Sequence, residues 1–518
     1  MEHEHPAEQA ETVAFLMRPE SYGQGIADVE RIDTHGAMVF LAGDRAYKLK
    51  RAVKLPYLDF STPDKRRAVS ERELAINRRT APDLYLDVIA IRRDGEGHLH
   101  LGGEGDVVDW LIAMRRFPED AVLDRLSVRG KLDPALMPRL AKTIRRFHQD
   151  AAQAKDAPWL LSLAHIIDTL EETLLGGDAR ALALEPAPYL ARLRQELHDR
   201  TPLLRERQAD GYVRRCHGDL HLKNIVLLDG EPVLFDALEF DENLATIDVL
   251  YDLAFLLMDL WHRGAKDEAN LVLSTYLEGK RQPGEWAGLT LLPLFLSLRA
   301  AIRAMVGVHS LAVVSENARH GAEQAVRDYL ALAVDLLTHQ PPLLICIGGL
   351  SGTGKTTVAR ALAPTIGAVP GAIHLRSDVE RKLMFDVEPL SPLSATAYSA
   401  DANDKLYCRL LDQAAAILRA GHSVILDAGF REPGQRDAAA KLAEQAKVTF
   451  RGLWLQADPE RLMARVAQRQ NDASDAGAEV VRRQLQSSAF PPPSAWDLID
   501  ANESLEETLA SARVALRR

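Results

Sequence analysis

Two phosphate-handling motifs in one chain constrain its architecture more than any other feature of the sequence. One is His217-Gly218-Asp219-Leu220-His221-Leu222-Lys223-Asn224, followed by Leu234-Phe235-Asp236. The other is Gly349-Leu350-Ser351-Gly352-Thr353-Gly354-Lys355-Thr356, directly after the apolar run Leu343 to Ile347. The first gathers carboxylates and an amide on a loop framed by short strands. The second is a glycine-rich turn between a strand and a helix. These belong to unrelated backbones, so the chain must hold two separate domains in tandem. Its 518 residues are too many for one core and suit about two to four compact units.

Composition narrows the class. Hydrophobic content of 47% and charged content of 26% are those of an ordinary globular protein. A net charge of −11 argues against a nonspecific nucleic-acid or anionic-membrane binder. Cys216, Cys346 and Cys408 fit neither a disulfide framework nor a zinc spacing, which points to a reducing cytoplasm. The polar, acidic start is the opposite of a secretory leader, and His3 and His5 within it read as part of a disordered segment rather than a metal site. No apolar stretch is expected to reach the ~18–20 residues of a membrane span; Leu253 to Trp261, interrupted by Asp259, reads as a buried helix.

Hydrophobic periodicity gives the order of elements. A short helix at Glu8 to Met17 precedes strands at Val29–Asp33, Met38–Leu41 and Ala46–Leu49, then a charged helix from Pro63 to Thr80 and strands at Tyr85–Arg92 and Val107–Arg116. These five strands and one inserted helix make a small lobe at about 20–116. A helical lobe follows at about 117–338, and His339-Gln340-Pro341-Pro342 marks the expected boundary between domains 1–338 and 339–518. Beyond it strands alternate with helices, the pattern of a parallel sheet covered on both faces.

The first motif supplies the parts of a phosphoryl-transfer site. Such a site needs a base beside the acceptor hydroxyl and oxygen ligands for the magnesium that chelates the donor. Asp219 is the candidate base, and Asn224 and Asp236 are the candidate metal ligands. Lys48, at the end of a strand in Ala46-Tyr47-Lys48-Leu49-Lys50, can reach donor phosphates, and Glu73 on the next helix can pair with it. Lys50 lies on the same strand face and competes for the role.

The stretch from about Gly25 to Asp259 resembles the aminoglycoside phosphotransferase-like, protein-kinase-like fold. Cys216 to Val226 looks like its catalytic loop, Val233 to Phe240 like its metal-binding segment, and Tyr251 to Phe255, with Asp248 and Asp252 nearby, like the acidic motif bracing the loop. The resemblance implies an α+β bilobal fold, and it places Met114, Arg115 and Arg116 where backbone groups would meet adenine. In place of a G-x-G-x-x-G turn there is only Thr34 to Phe40.

The second motif is a P-loop. Gly349, Ser351, Gly352, Thr353 and Gly354 offer backbone N–H groups to phosphates at a helix N-terminus. Lys355 reaches the β- and γ-phosphates, the Thr356 hydroxyl binds magnesium, and Thr357 is a further nucleotide-binding candidate. Asp378, after the next strand, lies where an acceptor would sit, with capping of the helix that follows Ser377-Asp378 as the alternative. Asp427 ends a strand and can support magnesium. Arg465 and Arg469 are candidates to neutralise charge on the transferred group, with a surface-helix alternative, and Arg431 and Arg436 are candidate anion holders. Leu343 to about Gln486 resembles the P-loop kinases grouped with gluconate kinase, chloramphenicol phosphotransferase and zeta-toxin kinases, which implies an α/β fold with a parallel sheet. The whole chain resembles bacterial fusions of the two kinds of domain.

Together these readings predict a cytoplasmic ATP- and magnesium-dependent kinase with two sites acting on hydroxyls of small molecules, and no nucleic-acid or membrane partner. The alternatives are a nucleotide-regulated switch in which one domain governs the other, and a protein kinase. Glu239, Asp241 and Glu242 form either an acidic pocket or a solvated loop.

Overall fold

The computed structural model describes residues 9–34, 36–55, 58–180, 182, 184–279, 283–312, 314–388, 390–468, 473–486 and 494–517. His3, His5 and Arg469 lie outside the described residues. The chain forms two compact units, each assembled from separated stretches. One holds residues 1–139, 143–162 and 210–252, the other 140–142, 163–209 and 253–518.

The first unit is built on an antiparallel sheet of strands β1 (Val29–Asp33), β2 (Ala37–Ala42), β3 (Arg45–Lys50), β4 (Tyr85–Arg93), β5 (Leu99–Leu101) and β6 (Asp106–Arg115). The spatial order is β1-β2-β3-β6-β4-β5. Strand alternation sends Met38, Phe40, Leu49, Ile91 and Leu111 to one face, where helix α1 (Ala10–Leu16) covers them with Val13, Phe15 and Leu16. Ala46, Tyr85, Ile112 and Met114 share the other cluster with Val39, Phe117 and Phe235. Five strands were expected and six are present, because Leu99–Leu101 is too short to show alternation; it pairs with Ile91–Arg93 across a turn held by Asp94.

Helix α2 (Pro63–Asn77) starts at Thr62, whose hydroxyl accepts the Lys65 N–H, with Pro63 at its first position. Its buried residues are Arg66, Ser70, Glu73 and Asn77, a polar stripe at helical spacing. Arg66 is matched by buried Asp109 at 2.8 Å. A hairpin of β7 (Ile225–Leu228) and β8 (Glu231–Leu234) carries the chain from Asn224 to Asp236.

The second unit contains a five-stranded parallel sheet of β9 (Leu343–Gly349), β10 (Ile373–Arg376), β11 (Val424–Asp427), β12 (Thr449–Gln456) and β13 (Asp497–Asp500) in the order β10-β11-β9-β12-β13. Every strand but the short β13 was expected. Helices α3 (Lys266–Leu277), α4 (Lys355–Leu362) and α5 (Ser377–Met384) matter for the site below. The core joins Ile345, Ile347, Val358, Leu362, Ile425 and Leu453.

The expectation about apolar stretches is corrected at Gly284–Ser310, a helical run of 27 residues that contains an 18-residue window of mean hydropathy 1.7. The window is a core element, with 67% of it buried inside the fold, and the run carries Arg299 and Arg303.

Packing around Trp496 is tight enough to test. A Cβ added at Gly452 on β12 would sit 2.4 Å from the Trp496 ring. Gly452→Ala is expected to destabilise the second unit by about 1–3 kcal/mol, measured as a lower unfolding midpoint in urea.

Candidate functional site

In the first unit the side chains singled out in sequence converge. Lys48 Nζ lies 2.8 Å from Glu73 Oε1 and 2.7 Å from Asp236 Oδ1. Lys50 also pairs with Glu73, through its other oxygen, and with Glu239. Glu73 is completely buried between the two lysines. Burial works against ionisation of its carboxyl, yet Lys48 and Lys50 hold it well below the usual carboxylate range. Burial likewise opposes the charge on Lys48, but Asp236 and Glu73 outweigh it and raise the pKa. Lys48 is therefore the cation that faces Asp236, while Lys50 anchors the same glutamate from behind.

Asp236 adopts φ 58°, a left-handed conformation that aspartate tolerates better than most residues. Its backbone N–H donates to the Tyr85 hydroxyl at 3.2 Å, and the next N–H, of Ala237, donates to Asn77 Oδ1 at 2.8 Å. Asn77 is one turn beyond Glu73 on the buried stripe of α2, so one helix face fixes both Lys48 and the Asp236 turn. That spacing was the sequence signal for Asn77, which motif reading passed over.

The loop 217–224 is held by Asp252. One carboxylate oxygen accepts the Gly218 N–H at 2.8 Å, and the other accepts the His217 N–H and lies 3.1 Å from His148 Nε2. Asn224 Nδ2 donates to the Asp219 carboxylate and to its backbone carbonyl, both at 2.9 Å. With its amide nitrogen so engaged, Asn224 leaves its carbonyl oxygen for a cation. Asp219, Asn224 and Asp236 thus offer hard oxygen donors of the type magnesium takes.

The N–H groups of Arg115 and Arg116 donate to Leu84 O (2.9 Å) and Asp44 O (2.8 Å). Met114 is buried in the apolar cluster with Val39, Ala46, Phe117 and Phe235. The acidic trio after Asp236 is not a pocket. Glu239 pairs with Lys50, Asp241 caps the helix Glu242–Ala245, and Glu242 pairs with Arg215 at 2.7 Å.

In the second unit a cavity of about 1360 Å³ is lined by the P-loop residues Gly349, Ser351, Gly352, Thr353, Gly354, Lys355, Thr356 and Thr357. Asp378, Asp427, Arg431 and Arg465 also border it. Gly349 sits at φ 138°, and a Cβ there would lie 2.5 Å from Leu455 O, so only glycine fits the turn. Thr356 Oγ1 donates to Asp427 Oδ2 at 2.6 Å. His374 Nε2 lies 3.3 Å from the same oxygen. Burial opposes ionisation of Asp427, but the His374 hydrogen bond and the charges of His374 and Lys355 keep its pKa at about 2. A hydroxyl and an ionised carboxylate in contact beside a phosphate loop are a donor set that suits magnesium. Lys355 Nζ rests on Leu350 O at 2.9 Å.

Asp378 is not a helix cap: α5 has Arg376 at that position and no side-chain cap bond, so the carboxylate is left to line the cavity. Arg436 is corrected as an anion holder, because its guanidinium donates to the carbonyls of Phe430 and Arg431. Arg465 borders the cavity while donating to Ala501 O at 2.9 Å. Sequence reading missed Gln484, which accepts the Ser351 N–H at 2.9 Å; its position carries no motif, and long-range packing alone puts it there. Asp475 accepts from Lys382 and Tyr398.

The family matches divide the chain differently from the two compact units: residues 163–209 and 253–291, which belong to the second unit, fall within the phosphotransferase match. The family model described as Phosphotransferase enzyme family matches residues 41–291, and that described as AAA domain matches residues 344–491. Uncharacterized protein Rv2004c of Mycobacterium tuberculosis is 30% identical over 463 residues, 86% of this chain and 88% of its own length. Uncharacterized protein Mb2027c of Mycobacterium bovis matches to the same extent. Among solved structures, a choline/ethanolamine kinase family protein from Mesorhizobium loti shows 16% identity and a TM-score of 0.38, covering 64% of this chain and 99% of its own. The Mycobacterium tuberculosis APS kinase CysC, solved with AMPPNP and APS, shows 21% identity and a TM-score of 0.27, covering 35% and 100%. The chain joins a kinase-like phosphotransferase domain to a P-loop kinase domain, and it is a phosphotransferase. It belongs to the same family as these mycobacterial proteins.

Glu73→Gln keeps the shape of the side chain but leaves Lys48 and Lys50 without their shared charge in the interior. It is expected to destabilise the first unit by about 3–5 kcal/mol, read from chemical denaturation of the full chain.

Proposed function

We propose that the protein is a cytoplasmic, bifunctional kinase that moves the γ-phosphoryl group of ATP to hydroxyl groups of small molecules at two separate sites. The catalytic domains in this reading are residues 1–338 and 339–518. One observation carries it: each unit sets an ionisable carboxylate directly against a group suited to a nucleotide phosphate or its metal. These are Asp236 on Lys48 at 2.7 Å and Asp427 on Thr356 at 2.6 Å.

Magnesium-ATP, when bound, supplies the transferable group and neutralises part of its charge. In the first site Asn224 and Asp236 hold the metal and Lys48, kept in place by Glu73, meets the donor phosphates. Val39, Ala46, Met114 and Phe117 belong to one packed apolar cluster on the strands beside Lys48. Asp219 accepts the proton of the acceptor hydroxyl, and its carboxylate is already aligned by Asn224. In the second site the P-loop N–H groups and Lys355 take the phosphates, Thr356 and Asp427 hold the metal, and Asp378 accepts the acceptor's proton. Arg465, together with Arg469, offsets charge on the group in transfer.

The test is phosphorus NMR of the full chain incubated with magnesium-ATP and a metabolite extract. Asp219→Asn and Lys355→Ala are each expected to remove a different phosphorylated product, with rates down roughly 10²–10⁴-fold. The double variant should make neither. Products that persist in the double variant would contradict the assignment.

A further inference from the structure

Among the described residues, strand β10 is an edge of the parallel sheet, with no neighbouring strand on its outer side. Helix α3 takes that place. Asn270 and Ser274 lie one turn apart and are both buried. The Asn270 amide donates to the carbonyls of Pro370 at 3.1 Å and Ala372 at 2.9 Å. The Ser274 hydroxyl accepts the His374 N–H at 3.4 Å. On the inner side β11 pairs with the same strand, with His374 opposite Ile425 and Arg376 opposite Asp427. The strand at His374 is therefore bracketed on both sides, by β11 and by α3.

Its side chain uses that fixed position. Residues 374 and 376 share one face of β10, and register puts Asp427 on that face beside them. His374 Nε2 reaches Asp427 Oδ2 at 3.3 Å, the oxygen that also takes the Thr356 hydroxyl at 2.6 Å. An ionised carboxylate only accepts, so the imidazole nitrogen is the donor. Two donors on one oxygen stop the carboxylate from rotating. Partners of this kind, one step behind a metal-holding side chain, orient it for the metal.

Helix α3 lies within residues 41–291, matched by the phosphotransferase family, whereas β10 lies within residues 344–491, matched by the other family. We propose that His374 is a positioning residue that aligns Asp427 for magnesium-nucleotide, and that Asn270 and Ser274 of α3 hold His374 in place. The second transfer site would then depend on a helix outside its own family-matched segment. The proposal rests on the reading of the P-loop site given above.

The test follows hydrogen–deuterium exchange of P-loop peptides spanning residues 349–358 in the full chain. A nonhydrolysable ATP analogue is held constant and magnesium is varied. In the wild-type chain the peptides should become protected, and Lys355→Ala should abolish the protection. His374→Leu, Asn270→Ala and Ser274→Ala should raise the magnesium concentration for half-maximal protection, the first two by roughly tenfold or more. His374→Gln, whose amide can still donate to Asp427, should stay within about threefold of wild type. Peptides around Lys48 and Asp219 should respond as in the wild type. A purely structural role would lower the melting temperature without moving the magnesium midpoint and without rescue by glutamine. If the wild-type P-loop gains no protection, the reading of the second site fails and the proposal with it. If the wild type is protected and the variants share its midpoint, the proposal alone is overturned. A shift in His374→Leu without one in Asn270→Ala overturns the helix clamp, and a glutamine variant that behaves like leucine overturns the hydrogen bond.

Discussion

Glu73 has no access to solvent and is shared by two lysines, and the first site is organised around it. A buried carboxylate persists only while its charge is matched, so α2 must keep its polar stripe against β3. Lys48 is fixed as a consequence, and with it the distance to Asp236. Asn77 on the same stripe holds the backbone just past Asp236. Asp236, Lys48 and Glu73 are thus set by one helix face and two strands. On the other side of the site, Asp252 performs the same service for the loop of Asp219 through two backbone N–H groups.

The second site reaches the same end by different means. Backbone geometry does most of the work: a positive φ at Gly349 turns the loop, and the N-terminus of α4 points at the space where phosphate belongs. The only ionised side chain in contact with Thr356 is Asp427 among the bonds described. Its own alignment comes from the sheet edge, where β10 is bracketed by β11 and α3. The two candidate sites therefore differ in what holds them. One depends on buried charge, the other on loop conformation and on strand placement.

Much of this was legible in the sequence because the informative residues cluster locally. The P-loop follows its strand without a gap, and Asp219, Asn224 and Asp236 fall on one loop and hairpin. Lys48 and Glu73 were readable because a strand and the next helix are short and strongly patterned. Contacts between distant segments left no such trace. Asp475 to Lys382, Gln484 to Ser351 and Asn270 to Pro370 join residues with nothing periodic between them. Arg436 looked like an anion holder because a free arginine and one that satisfies carbonyls are the same letter. In Gly284–Ser310, Pro293 and two arginines break the apolar pattern, although an 18-residue window within it averages a hydropathy of 1.7. Short strands such as Leu99–Leu101 and Asp497–Asp500 have too few residues for alternation to register.

The central claim is that one chain grips nucleoside triphosphate twice, through charge at Lys48 and through backbone at the P-loop. Isothermal titration calorimetry of the full chain with magnesium and a nonhydrolysable ATP analogue measures this directly. The account predicts two bound nucleotides per chain, falling to one in Lys355→Ala. A stoichiometry of one or none in the wild type would contradict it.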